Sequence, residues 1–126
     1  MGKRDGTRVK EVMSSPLETI SRRATVQEAV ERMRDRNINA LVVTTDPPSI
    51  ITSTDVLDAV AEGRDPADLQ VSDVMTKSVE TVPESLFLEE VAAMMTSFGI
   101  RHLPVTDFDD DLVGMVSSTD LAAYLS

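Results

Sequence analysis

The stretch "GMVSSTDL", Gly114 to Leu121, says almost the same thing as "SIITSTDVL", Ser49 to Leu57. In both, an apolar run ends in hydroxyls and is followed by a carboxylate. Three shared letters decide little, but their surroundings decide more. "VKEVM" (Val9 to Met13) aligns with "VSDVM" (Val71 to Met75) at an offset of 62 residues, and the alignment continues without a gap to Thr44 and Thr106. Along it Glu18 and Thr19 match Glu80 and Thr81, Glu28 matches Glu90, Met33 matches Met95, and Ile38, Leu41 and Val43 match Ile100, Leu103 and Val105. Asp55 against Asp120 gives an offset of 65, so the second copy carries three extra residues before its last apolar run. The chain is an internal duplication.

Its 126 residues are expected to form one domain from two halves, residues 9–62 and 71–125, joined by a connector at 63–70. A lone half would bury only about 60% of the surface its unfolded chain exposes, so the halves are expected to share a core. Hydrophobic residues make up 41% of the chain and aromatics 3%, which leaves Val, Leu, Ile, Met and Ala to fill the interior.

The formal charge of −10 opposes general attraction to nucleic acid or anionic membrane, so an anionic ligand needs local groups to hold it. Nine of the twelve basic residues are Arg, and an acidic, Lys-poor composition suits a salt-rich cytoplasm. With no cysteine, disulfides and thiolate metal sites are excluded. No apolar run has the length of a membrane span, and "MGKRDG" is followed by no hydrophobic segment that would make it a signal peptide. A soluble cytoplasmic protein is expected.

In the first copy "LETI" (Leu17 to Ile20) is a strand candidate. Thr25 and Glu28 have the spacing of a capping box, and Val26, Ala29, Val30 and Met33 form one helical stripe. The charges among Glu31 to Arg36 read as a solvated face. The second copy repeats the stripe with Leu88, Val91, Ala92 and Met95, with Ser85 as the capping position and no reciprocal Glu, and ends it at Phe98 and Gly99. Next come "NALVVTT" or "RHLPVTD", a turn ("DPPS" or "DFDDD"), a second apolar strand, and a last helix opening at the Ser/Thr/Asp cluster. Each half is therefore β-α-β-β-α, and the fold class is α/β. Gly63 and Pro66 mark the helix stop before the connector.

A strand that ends in Ser or Thr, with Asp three residues later in the opening of a helix, gathers two kinds of group. Free amides at the helix start suit an anion such as phosphate, and the hydroxyl of Thr52 or Ser117 adds a donor. Asp55 or Asp120 can accept from two adjacent sugar hydroxyls. Phosphate plus a vicinal diol describes a nucleotide. Ordinary helix capping accounts for the same residue types, but one cluster matched by another at the same place in a duplicated unit favours a ligand.

From Val9 to Leu125 the chain resembles a tandem pair of cystathionine-β-synthase (CBS) domains, a Bateman module. The carriers are "VMSSPLETI" and "VMTKSVETV", the helices "TVQEAVERM" and "LFLEEVAAMM", "IRHLPVTD", and "GMVSSTDL". The resemblance implies two tandem repeats packed with pseudo-twofold symmetry through their sheets. It implies a non-catalytic regulatory module that binds AMP, ADP, ATP or a related adenosyl compound in clefts between the repeats. The hydroxyl of the family pattern, Ser117 or Thr52, meets phosphate, and its Asp, Asp120 or Asp55, meets ribose. The base lies around Leu17 and Val79, with Thr76 just before the latter, and Arg101 and His102 reach phosphate. The implied partners are a second copy of the chain, as a homodimer, and an unidentified effector protein. A structural dimerisation module with empty clefts is the alternative.

The first copy departs from the family pattern in two ways. Ser49 stands where the pattern has Gly, and Asn39 and Ala40 stand in place of Arg101 and His102. A charged nucleotide is therefore expected at Ser117/Asp120, and a nucleoside or nothing at Thr52/Asp55. "DFDDD" begins like a calcium loop, but Leu112 and Ser118 replace the required Gly and Glu, so it reads as a polar turn and no metal is expected. One His, no Cys and no glycine-rich nucleophile turn leave a catalytic triad unsupported.

Overall fold

The computed structural model describes residues 6–77 and 79–125. Most of the charged start "MGKRDG" therefore lies outside the described residues. The chain is mixed α/β, with two three-stranded sheets and four helices. It divides into two compact units: a continuous one, Glu18–Val79, and a discontinuous one, Met1–Leu17 with Glu80–Ser126.

In the continuous unit the order is β1 (Thr19–Ile20), α1 (Val26–Arg36), β2 (Ala40–Val43), β3 (Ser49–Thr52) and α2 (Ser53–Ala61). β1 runs parallel to β2, and β2 antiparallel to β3, with Ala40 opposite Thr52. Both faces of this sheet have to be covered, because all four residues of β2 are buried. The expected stripe on α1 supplies one cover: Val26, Ala29 and Met33 are buried, while the charged residues between Glu31 and Arg36 are exposed. Thr25 caps α1 as expected, its hydroxyl accepting from the Glu28 amide at 3.0 Å while the Glu28 carboxylate accepts from the Thr25 amide at 2.8 Å. Asn37 ends the helix in the left-handed conformation.

The discontinuous unit repeats the pattern with β4 (Val82–Pro83), α3 (Leu88–Phe98), β5 (His102–Thr106), β6 (Leu112–Ser117) and α4 (Ser118–Leu125). β4 is parallel to β5 and β5 antiparallel to β6, with His102 opposite Ser117. The three extra residues lengthen the β5–β6 hairpin, where Asp107 accepts from the amides of Asp109 and Asp111 at 2.9 and 3.0 Å. The carboxylates of Asp107, Asp109 and Asp111 lie within 4.8 Å of one another and remain solvent-accessible.

Capping of α3 corrects the expectation placed on Ser85. The cap is Phe87, at the offset of 62 from Thr25, and its amide donates to Glu90 at 3.1 Å. The reciprocal Glu is therefore present and the hydroxyl is what has been lost. The Phe87 ring instead carries the Arg8 guanidinium, 4.4 Å from its centroid. Gly99 ends α3 at φ 66, the left-handed position that Asn37 occupies in α1.

Two clusters of buried apolar side chains are seen, one in each unit, while Ala40, Val42 and Ile50 are buried outside both. Each unit completes its cluster with the segment that precedes the other copy. Val9 of "VKEVM" is fully buried among Val82, Leu88, Val91 and Leu103, and its amide donates to Leu86 at 2.9 Å. Val71 of "VSDVM" is fully buried among Ile20, Val26, Leu41 and Ile51, and its amide donates to Ala24 at 2.8 Å. The leading segments are thus exchanged between the two copies.

Candidate functional site

Where β6 ends and α4 begins, the helix needs acceptors for its first amides, and the local sequence supplies them. The Ser117 hydroxyl accepts from the Asp120 amide at 3.1 Å, and the Asp120 carboxylate accepts from the Ser117 amide at 2.9 Å. The Ser118 amide donates to the Arg101 carbonyl at 2.9 Å. The β3–α2 corner is built the same way. The Thr52 hydroxyl accepts from the Asp55 amide at 3.2 Å, the Asp55 carboxylate accepts from the Thr52 amide at 3.0 Å, and the Ser53 amide donates to Asn39.

This reciprocal bonding leaves chemistry to spare. A hydroxyl that accepts one amide still has its own proton to donate, and a carboxylate holding one amide has a second oxygen. All four groups are partly exposed. Each corner therefore fixes one hydroxyl donor and one carboxylate acceptor a single helical turn apart, within reach of solvent.

The two corners differ in charge. His102 stands opposite Ser117 in the β5–β6 register, with Arg101 just before it, whereas Ala40 stands opposite Thr52 after Asn39. His102 is half-buried, and burial pushes it below its ordinary 6.5; the nearby Asp120 carboxylate opposes that shift and the Arg101 charge adds to it. Arg101 itself is exposed.

Of the residues singled out from sequence, Arg101, His102, Ser117 and Asp120 come together at one corner, and Leu17 belongs to the same unit. Thr52, Asp55, Thr76 and Val79 belong to the continuous unit. There Thr76 exchanges backbone hydrogen bonds with Ile50 of β3 at 3.0 and 2.8 Å, and the Val79 amide donates to Pro48. Beside β6 the corresponding place is taken by Ser14, which exchanges bonds with Met115 at 2.8 and 3.2 Å. Ser14 was not singled out from sequence, although the offset of 62 that pairs it with Thr76 could have found it.

That approach explains Gly114. A Cβ there would meet the Met13 sulfur and the Ser14 carbonyl oxygen, each at 2.7 Å. Ser49, at the matching place, is buried with its hydroxyl 2.7 Å from that of Thr45, and the Ile50–Thr76 bridge forms all the same. The departure from glycine therefore leaves the bridge of the first copy intact. On the helical side of the continuous unit, a groove of about 390 Å³ runs between α1 and α2, with Met33 and Val56 lining it and Arg34, Asn39 and Ser53 among its polar groups.

The family model described as "CBS domain" matches residues 9–62 and 71–126. The chain belongs to the CBS domain family. An uncharacterized protein of Methanopyrus kandleri is 32% identical over 117 residues, which is 90% of this chain and 60% of that protein. The chain thus spans less than two thirds of that relative's length. The CBS domain pair of protein MJ0100, solved in complex with 5′-methylthioadenosine and S-adenosyl-L-methionine, is 30% identical, with a TM-score of 0.84 over 94% of this chain and 95% of that one. A hexameric CBS-CP12 protein from bloom-forming cyanobacteria is 31% identical, with a TM-score of 0.85 over 92% of this chain and 69% of that one. Among the described residues no helix is long and apolar enough to cross a membrane.

Proposed function

We propose that this CBS domain pair is a non-catalytic, cytoplasmic regulatory module that binds an adenine nucleotide or another adenosyl compound and signals to a separate protein. Ser117 and Asp120 contact phosphate and ribose, with Arg101 and His102 on the phosphate. Thr52 and Asp55, which have no basic neighbour at Asn39 or Ala40, take an uncharged nucleoside or stay empty. Leu17, Thr76 and Val79 supply the surroundings of the base. The observation that carries this reading is the twice-built corner, hydroxyl and carboxylate locked together with donor and acceptor capacity left over. The adenosyl compounds bound to the MJ0100 pair support the choice of ligand.

The module works as a homodimer. Leu57 and Val60 on α2, Phe98 on α3, and Tyr124 and Leu125 on α4 are between 47% and 70% exposed, more apolar helix surface than a solitary module needs. Binding alters a partner only through different affinities for two conformations of the module.

Thermal unfolding with AMP, ATP, S-adenosylmethionine and methylthioadenosine tests the reading. A ligand at a hundred times its dissociation constant stabilises the fold by about 2.7 kcal/mol. Absence of any shift across the series would favour a structural dimerisation module. The capping bonds at both corners, which suffice to explain those residues, favour that second reading.

A further inference from the structure

The β6–α4 corner places a titratable ring among charges of both signs. His102 stands opposite Ser117 in the β5–β6 ladder, where the Asp120 carboxylate acts on its ring, and Arg101 comes just before β5; among the described residues these are the charged groups that act on it. The ring is half-buried in a chain with one histidine, and among the described residues it has no hydrogen bond that would fix its protonation. The equivalent corner of the continuous unit has Ala40 at this position and so has no imidazole there.

We propose that His102 sets ligand specificity at this corner by taking up a proton when a phosphate-bearing ligand binds, so that affinity for a nucleotide falls with rising pH while affinity for an uncharged nucleoside does not. The proposal rests on the adenosyl-binding reading above and adds to it the means of telling nucleotide from nucleoside. In the ligand-free corner burial and Arg101 outweigh Asp120, and the ring is neutral near pH 7. A phosphate held at the start of α4 brings up to two negative charges beside the ring, which reverses the balance. A nucleoside brings none, and its diol meets Asp120 without changing any charge.

The sign follows from linkage. Below the depressed ligand-free value the ring is protonated with or without ligand, and above the raised bound value it is neutral in both. Only between these values does binding take up a proton, and there nucleotide affinity falls as pH rises. A rise of one unit on binding corresponds to about a tenfold loss of affinity across the window.

The experiment is calorimetric titration of the intact protein with AMP and with adenosine, from about pH 6 to 8.5, in two buffers of different ionisation enthalpy. AMP titrates near pH 6 on its own account, so the decisive readings are taken at pH 7 and above, where its phosphate is already close to dianionic. Expected are net proton uptake with AMP, none with adenosine, and loss of the uptake in His102→Gln. His102→Asn serves as a second variant, and the wild-type contrast between the two ligands needs no variant. Uptake that persists in both variants, equal uptake with adenosine, or pH-independent AMP binding overturns the role of His102 and leaves adenosyl binding standing. If neither ligand binds, the adenosyl reading fails and His102 with it.

Discussion

Exchange of the leading segments makes a prediction that runs against sequence order. Val9 lies 73 residues before Val82 but shares a cluster with it, and its side chain is fully buried. Val9→Ala removes two methyl groups, about 1.6 kcal/mol at roughly 0.8 kcal/mol per buried carbon. A residual cavity adds to this, giving about 2–3 kcal/mol. At roughly 4 °C per kcal/mol for a domain of this size, Tm falls by about 8–12 °C. The informative assay is native-state hydrogen exchange, because local openings report each unit separately. A loss of about 2 kcal/mol speeds exchange about thirtyfold in α3, β5 and β6, while α1, β2 and β3 keep most of their protection. Val71→Ala should do the reverse, since Val71 is buried among residues of the continuous unit. If Val9→Ala instead loosens residues 18–62 and spares 80–125, or if both variants loosen both units equally, the assignment of each leading segment to the opposite copy is wrong.

Other perturbations have equally definite outcomes. Gly114→Ala forces a Cβ against Met13 and Ser14 and should cost about 1–3 kcal/mol in denaturant unfolding, with Ser49→Ala closer to neutral. Asp120→Ala should weaken AMP about ten- to a hundredfold by titration, as expected for loss of a charge-assisted bond to ribose, whereas Asp55→Ala should leave AMP affinity nearly unchanged. Thr25→Ala keeps the backbone amide that does most to hold Glu28 below its ordinary 4.5 and removes the hydroxyl that adds to it. The capped form is favoured above that value and loses its advantage as pH falls through the lowered one, so the variant should show a shallower acid transition. For the ligand-free protein, the depressed His102 means that the unfolded chain binds the extra proton, so stability falls as pH drops from 6.5. Denaturant midpoints should show that decline in wild type and not in His102→Gln, opposite in sign to the pH dependence proposed for AMP affinity.

The parts of the fold that were legible in the sequence are those fixed by contacts within a few residues. The stripe from Val26 to Met33, the Thr25–Glu28 box and the strand-ending hydroxyls depend on i to i+3 and i to i+4 geometry, which pattern reports directly. Destination in space was not legible. Val9 and Val71 sit in matching motifs, and either would satisfy the same pocket, so alignment cannot say which unit each one completes. The mistaken cap at Ser85 has a related cause. A hydroxyl residue before an apolar run is a strong local signal, but the register of α3 follows the duplication and puts Phe87 at the cap, where tertiary contact with Arg8 gives the ring its use.

At the site the same division holds, and it bears on whether capping and binding compete. The Ser117–Asp120 spacing was readable because both residues serve one helix end, and the bonds they make are those of a cap. Arg101 was singled out for its guanidinium, yet the structure uses its carbonyl, as the acceptor for Ser118, and leaves the charge exposed. Each group thus spends one function on the fold and keeps another. The hydroxyl accepts but can still donate, the carboxylate uses one oxygen of two, and the backbone of Arg101 is bound while its fork, among the described residues, is not. The α3 cap, with Phe87 in place of a hydroxyl residue, still has the Glu90 carboxylate but has no hydroxyl proton to offer. Both strand-to-helix corners after the second hairpin strand instead carry a hydroxyl and an acid. The Thr25–Glu28 cap of α1 is made of the same two kinds of group, so it is their recurrence at matching corners of the duplicated unit that supports the proposed ligand site.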